Sequence, residues 1–165
     1  MRAALVLLVL LGSFGEPQAA EPSLTRFNLK GLTGVYVSVE GFGEAAQRAG
    51  LSESTIQTDV ELKLRMAGIK VMTLEEWDAT RFQPTGGYFF VNITATHTRP
   101  GESAAFNVAI ELREDVRLVR NGALVQLAAT WSSAAVGYGD IPHVRNSAKD
   151  LVDRFINAWL SVNPK

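Results

Sequence analysis

Asp140 is the only acidic residue within three positions of a histidine, in the segment Asp140-Ile141-Pro142-His143. An aspartate beside an imidazole is part of the arrangement with which hydrolases activate a serine or a water molecule. The chain carries no Gly-x-Ser-x-Gly or Ser-x-x-Lys motif that would supply the nucleophile. We therefore interpret this segment as the lead into the last helix, and we rank a hydrolase behind two other hypotheses of function.

The composition excludes several other chemistries. The 165 residues contain no cysteine, which rules out disulfides, thiolate metal sites, thiol nucleophiles and a lipidated N-terminal cysteine. The two histidines, His97 and His143, lie far apart along the chain, so we expect no histidine-rich metal centre and no cofactor. With 16 basic and 17 acidic side chains, the protein lacks the basic field that is typical of nucleic-acid binders.

Three short glycine-rich segments are Gly41-Phe42-Gly43, Gly86-Gly87 and Gly137-Tyr138-Gly139. A phosphate-binding loop needs a lysine and the start of a helix directly after its glycines, and none of the three has both. We predict that all three are turns. The loop from Gly41 to Gly50, which contains Phe42, is a second candidate for ligand contacts, because ligand-contacting residues often lie on loops.

The first half of the chain predicts a strand, a helix and a second strand. Apolar and polar residues alternate over Gly34–Glu40, as in a strand with one buried face. Ser52 is a suitable N-cap for a helix with an apolar stripe. That stripe comprises Ile56, Val60, Leu64 and Ala67. Gly68 ends the helix, Ile69–Met72 predicts a second strand, and Glu75–Gly87 predicts a loop with a helical turn.

Three long alternating segments follow from Tyr88, and two turn signals predict how they pair. Asn121-Gly122 is a strong signal for a two-residue hairpin turn, and Pro100-Gly101 indicates a second turn. Both registers place apolar residues opposite each other. The predicted pairs are Leu118 with Val125, Val116 with Leu127, Leu112 with Trp131, Val108 with Ala135, Ala95 with Phe106, Ile93 with Val108, Val91 with Ile110, and Phe89 with Leu112. A slip of one residue would bring them against polar side chains, so the two registers support each other.

The last predicted helix runs from about Ser147 to Val162, with an apolar stripe along one side. That stripe comprises Ala148, Leu151, Val152, Phe155, Trp159 and Val162. The predicted order is therefore β-α-β-β-β-β-α. A two-layer α+β fold, with a mostly antiparallel sheet and two helices packed on one face, buries every apolar stripe. We expect residues 21–165 to form this single domain.

Oppositely charged residues four positions apart occur on both predicted helices. They predict ion pairs within each helix. The pairs are Asp59 with Lys63, Glu61 with Arg65, Lys149 with Asp153, and Asp150 with Arg154.

Two aromatic residues fall on the polar face of the predicted sheet. The register places Tyr88 opposite Arg113 and Phe90 opposite Glu111. Exposed aromatic rings beside an arginine are enriched at binding surfaces. We therefore predict that Tyr88, Phe90 and Arg113 bind a partner. The alternative is that the loop preceding Tyr88, or the N-terminal arm, covers the two rings.

The N-terminal residues indicate export. Arg2 precedes an apolar run from Ala3 to Gly12 that is too short to span a bilayer, and small residues follow up to Ala20. This pattern is typical of a secretory signal peptide. We expect residues 1–20 to be removed by cleavage near Ala20. The product is then secreted or periplasmic and has no stable membrane span.

The stretch from Gly50 to Val71, GL-x4-I-x3-VE-x2-LR-x-AGI-x-V, precedes an aromatic-rich strand and Ala129-Thr130-Trp131. Together they resemble small secreted bacterial proteins of unknown function. The coarse topology is similar to periplasmic accessory domains found in the N-terminal part of TolB and in curli-assembly and lipoprotein activator proteins. The resemblance implies an accessory role and brings no catalytic residues. The missing lipidation cysteine departs from the lipoprotein members, so a membrane anchor is not implied.

Three hypotheses of function follow, in order of preference. The first is an exported, non-enzymatic protein that binds a partner protein or an envelope component through the outer face of the sheet. The second is a small-ligand or lipid carrier with an apolar cavity between sheet and helices. That cavity would be lined by Phe89, Trp131, Phe155 and Trp159. The third is a hydrolase-type enzyme built on Asp140 and His143. The sequence identifies neither the partner nor the oligomeric state.

Overall fold

The computed structural model describes residues 25–41, 47, 50–80, 86–96 and 103–164. The strands in these ranges are β1 (Gly34–Glu40), β2 (Lys70–Val71), β3 (Gly86–Ala95), β4 (Ala104–Arg117) and β5 (Leu124–Gly139). The helices are α1 (Glu53–Met66), α2 (Leu74–Thr80) and α3 (Ile141–Val162), and a 3-10 helix, Thr25–Leu29, precedes β1. The predicted signal peptide, His97, the turn at Pro100-Gly101 and most of the loop after Gly41 lie outside the described residues.

The five strands form one sheet in the order β2-β1-β3-β4-β5. The pairs β3–β4 and β4–β5 are antiparallel, as the two predicted hairpins require. β1 lies parallel to both β2 and β3, and α1 provides the crossover from β1 to β2. The α+β fold is therefore confirmed. Its sheet is mixed, and the long strands form the antiparallel part.

The predicted register between β3 and β4 is confirmed at all four pairs, from Ala95 opposite Phe106 to Phe89 opposite Leu112. This agreement follows from the alternation itself. Each of these residues is buried or packed against the core, and a slip of one position would turn the whole set toward water.

The predicted register between β4 and β5 is correct far from the turn and wrong near it. Leu112 lies opposite Trp131, as predicted, but Val116 lies opposite Val125 instead of Leu127. The ladder is irregular in this stretch, where Leu127 adopts a φ of 52°. The connection is also longer than a two-residue turn, because the amide of Leu118 donates to the carbonyl of Ala123. Two bulges absorb the difference in register.

α1 and α3 pack on the same face of the sheet, here called the inner face, and their apolar stripes form the core as predicted. The buried stripe residues are Ile56, Val60 and Leu64 of α1 and Ala148, Leu151, Val152, Phe155 and Trp159 of α3. The 3-10 helix adds the fully buried Leu29. α3 begins at Ile141 instead of Ser147, because Asp140 caps it. No helix in the described ranges combines the length and the hydropathy needed to cross a bilayer.

The charged residues on the two long helices mostly bridge the helices instead of pairing within each one. Asp59 of α1 accepts from Arg145 of α3 at 2.7 Å, and Lys63 donates to Asp153 at 2.6 Å. Of the four predicted pairs, only Glu61 with Arg65 forms among the described residues, at 2.8 Å. The prediction failed because i,i+4 spacing does not reveal that a second helix approaches the same side chains.

Two of the glycine-rich segments are not turns. Gly86 and Gly87 begin β3, and residues 137–139 end β5. Position 137 requires glycine because the ring of Phe106 lies too close to the backbone for a side chain. A Cβ atom there would lie 2.6 Å from Cζ of Phe106, whose ring leans over the strand.

Candidate functional site

Four aromatic side chains gather on the outer face of the sheet. Tyr36 of β1 lies opposite Tyr88 of β3 in the parallel ladder, with ring centroids 5.6 Å apart. Trp77 of α2 packs on both, at 6.0 Å from Tyr36 and 5.2 Å from Tyr88. Phe90 continues the row at 6.3 Å from Tyr88. We call these four residues, together with Arg113, the aromatic patch.

α2 is held in place by a capping box that brings Trp77 onto the sheet. The amide of Glu76 donates to the hydroxyl of Thr73 at 3.1 Å, and the Glu76 carboxylate accepts from the amide of Thr73 at 3.0 Å. Lys70 adds a contact to the same carboxylate at 2.8 Å. The hydrogen bond from Lys70 and that from the Thr73 amide hold the pKa of Glu76 below its usual value. The short helix is therefore anchored at its first turn.

Arg113 is fixed between a ring and a carboxylate. Its guanidinium carbon lies 3.8 Å from the centroid of Phe90, and its Nε donates to Glu111 at 2.7 Å. Both charged side chains are about 30% exposed, Arg113 at 30% and Glu111 at 29%. The two terminal nitrogens of Arg113 form no hydrogen bond to any described residue, so the guanidinium keeps donors for a ligand.

The structure brings the three predicted site residues together. Tyr88 lies opposite Arg113 and Phe90 opposite Glu111, as predicted. The segment before Tyr88 covers part of this surface, since Trp77 is only 8% exposed. Tyr88 and Phe90 remain half-buried. The described part of the N-terminal arm packs elsewhere, because the Asn28 side chain donates to the carbonyl of Thr130 on β5.

Two members of the patch were not predicted. Tyr36 occupies an outward position of β1, between the inward Val35 and Val37, and the alternation alone indicates this. Trp77 required recognition of Thr73-Leu74-Glu75-Glu76 as a capping box, a four-residue pattern that marks the start of a helix.

The four residues predicted to line a ligand cavity are packed against one another or the backbone. The ring of Phe155 meets Phe89 at 4.7 Å and Trp131 at 5.1 Å, both edge-on. The indole nitrogen of Trp159 donates to the carbonyl of Leu32 at 2.9 Å. These side chains fill the space between sheet and helices in which the carrier hypothesis places a ligand.

Asp140 and His143 form a helix cap. The Asp140 carboxylate accepts from the amide of His143 at 3.1 Å and lies 2.6 Å from its Nδ1. Hydrogen bonds from His143 hold the pKa of Asp140 below its usual value. No described serine forms a hydrogen bond with His143. Within the described ranges no three His, Asp or Glu side chains are grouped to hold a metal ion.

No protein-family model matches the sequence. No curated protein matches it either. Among solved structures, the chain is similar to the PelC dodecamer from Paraburkholderia phytofirmans, at 17% identity and a TM-score of 0.47, over 84% of this chain and 91% of that one. A single-residue variant of the same PelC gives 17% identity and a TM-score of 0.47, over 85% and 93%. A likeness of this size carries no inference about function. The resemblance to TolB, curli-assembly and lipoprotein activator domains stays a prediction.

Proposed function

We propose that the protein is an exported, non-enzymatic binding protein that holds a partner protein or an envelope component on the aromatic patch. The observation that carries the proposal is Arg113, stacked on Phe90 and paired with Glu111 on the outer face of the sheet. Aromatic and arginine side chains supply most of the binding energy at protein interfaces.

The patch is already ordered before a partner arrives. Each ring contacts a neighbour, and Arg113 is held from two sides. Fixing a free side chain at an interface costs roughly 0.5–1.5 kcal/mol, and this cost is smaller where the rings are already packed. The rings of Tyr88 and Phe90 therefore offer apolar surface at a low entropic cost of binding.

The charges of the patch predict its response to salt. Glu111 compensates Arg113, so the patch presents a cation and an anion side by side and little net charge. Long-range attraction to a charged partner is weak for such a surface. We expect binding to depend mainly on ring burial and to change little when ionic strength is raised.

A capture experiment tests the proposal. The mature protein, immobilised, is incubated with native envelope extract or culture medium of its source. The Phe90→Ser and Arg113→Ser variants are compared with wild type. Val119→Ser is the matched control, because Val119 is fully exposed between β4 and β5 and outside the patch. We expect both patch variants to lose the captured species and the control to retain it.

The controls separate loss of binding from loss of fold. Circular dichroism of each variant should match wild type, since Phe90 and Arg113 are only half-buried. Equal capture by wild type and both patch variants would show that the patch is not the binding site. Native mass spectrometry of protein purified from its source adds a separate check, because a copurifying small molecule would favour the carrier hypothesis instead.

A further inference from the structure

β5 is an edge strand of the sheet, and half of its length lacks the usual protection of such an edge. From Trp131 to Gly139 it contains nine residues without a charge or a proline. Edge strands normally carry charges, prolines or bulges that block pairing with another chain. The irregularities of β5 lie before Trp131, and the 3-10 helix meets the strand at Thr130. About 30 Å of strand edge follows, at roughly 3.4 Å per residue.

A groove of about 490 Å³ runs along this part of β5, between residues 134–138 and one flank of α3. The flank contributes His143, Ser147, Asp150 and Arg154. No described strand pairs with the far edge of β5, so this edge is open to a sixth strand. The groove lies beside the edge on the inner face, since Phe106 and Leu151 of the core also line it.

The same segment carries the most exposed large apolar side chains of β5. Val136 is 83% exposed and Tyr138 is 75% exposed, both on the outer face. Alanine, serine and glycine occupy the positions around them. Small side chains allow a second backbone to approach closely, while Val136 and Tyr138 provide apolar surface that pairing would bury.

The charges along the groove are self-complementary. Asp150 and Arg154 lie one turn apart on α3, yet they form no ion pair with each other or with another described residue. The groove therefore has one unpaired anion and one unpaired cation. An antiparallel copy of the helix brings Asp150 of each chain toward Arg154 of the other when a twofold axis passes between them.

We propose that residues 131–139 of β5 are an interface with a second copy of this chain, in which the two strands pair antiparallel and extend the sheet across a twofold axis. The uncharged strand favours its own copy, because self-pairing brings no like charges together. The axis is normal to the sheet, so both aromatic patches lie on the same side of the dimer.

Sedimentation equilibrium of the mature protein over a range of concentrations tests the proposal. We expect a monomer–dimer equilibrium. Val136→Lys places two like charges at the pairing edge and should raise the dissociation constant at least about tenfold. Leu124→Lys is the control, because Leu124 is an exposed apolar residue of the same strand outside the proposed interface. Its dissociation constant should equal that of wild type.

A charge exchange tests the helix contacts. Asp150→Arg and Arg154→Asp should each weaken the dimer, and the double variant should restore it, since the exchange leaves the two charges complementary. Because the chain contains no cysteine, introduced cysteines can report which residues lie opposite each other in the dimer. When residues 131–139 of two chains pair antiparallel about their midpoint, Ala134 of one chain lies opposite Val136 of the other. Under oxidising conditions, the double variant Ala134→Cys/Val136→Cys should therefore form a disulfide-linked dimer, whereas Leu124→Cys should not.

Several outcomes would overturn the proposal. If the protein stays monomeric at all concentrations, the edge of β5 does not pair with a second copy of the chain. A dimer that is unchanged by Val136→Lys, or that Leu124→Lys weakens equally, has its interface elsewhere. Phe90→Ser should leave the dimer intact, so a failure here is distinguishable from a failure of the proposed binding function.

Discussion

Phe89 and Phe90 are neighbours on β3 with the same side chain, and they lie in different environments. Phe89 is fully buried on the inner face and meets Phe155 edge-on at 4.7 Å. Phe90 is half-buried on the outer face, stacked beside Tyr88 and under Arg113. Two long helices cover the inner face, whereas α2, with seven residues, covers only one end of the aromatic patch. Apolar surface thus remains on the outer face for a partner to cover.

The largest expected effect is on the inner face. Phe89→Ala removes a fully buried ring from contact with Phe155 and should lower the free energy of unfolding by about 3–5 kcal/mol. Urea denaturation followed by circular dichroism measures the loss, and Phe90→Ala is the matched control, expected to lose roughly 1 kcal/mol. Equal losses for the two variants would mean that the outer face is as well packed as the inner one.

The inner face was predictable because its information is local and redundant. The alternation in β3 and β4 gave the correct register, and the stripes of α1 and α3 identified the buried residues. Two features were not predictable from spacing. The bulges near Leu127 depend on how a longer turn closes, and the partners of Asp59 depend on how two helices approach each other.

The outer face was predictable only in part. The register placed Tyr88, Phe90 and Arg113 together because alternation fixes which side chains share a face. It could not show that α2 returns to cover Tyr88, since seven residues are too few for a helical periodicity to stand out. Asp140 illustrates the opposite case. In the sequence, Asp140 beside His143 resembled part of a hydrolase site, but in the structure Asp140 caps α3.

Tyr88→Ser should have an intermediate effect. Tyr88 contacts Tyr36 and Trp77, so its removal opens the covered end of the aromatic patch and should cost about 1–2 kcal/mol. The indole of Trp77 then becomes more exposed, and its fluorescence emission should shift to longer wavelength. A loss as large as that of Phe89→Ala would assign Tyr88 to a second core instead of a binding surface.

Asp59→Asn tests the contacts that hold α1 and α3 together on the inner face. Burial acts to raise the pKa of Asp59, but hydrogen bonds from Arg145 and Lys149 outweigh it and hold the pKa below its usual value of 3.8. The ion pairs of Asp59 therefore stabilise the fold above pH 3.8, and this stabilisation is lost as the pH falls through the lowered pKa of Asp59. We expect the variant to lose up to about 1 kcal/mol at pH 7, and less at pH 3. A loss that is independent of pH would attribute the effect to packing.

Glu114→Gln tests where the inner face ends. Glu114 follows Leu112 by two positions on β4, in the direction of the bulged end of the sheet. Burial raises its pKa above the usual value of 4.5, although a hydrogen bond from Thr130 opposes the shift.

A raised pKa means that Glu114 contributes most to stability below pH 4.5 and that this contribution is lost as the pH rises through the raised value. Glutamine has no charge to bury and still accepts a hydrogen bond from Thr130. The variant should therefore match wild type near pH 4 and exceed it by roughly 0.5 kcal/mol at pH 8. Thermal unfolding at both pH values measures the difference. A variant that is less stable at pH 8 would show that water reaches the Glu114 carboxylate. Leu112 would then be the last buried residue of β4 on the inner face.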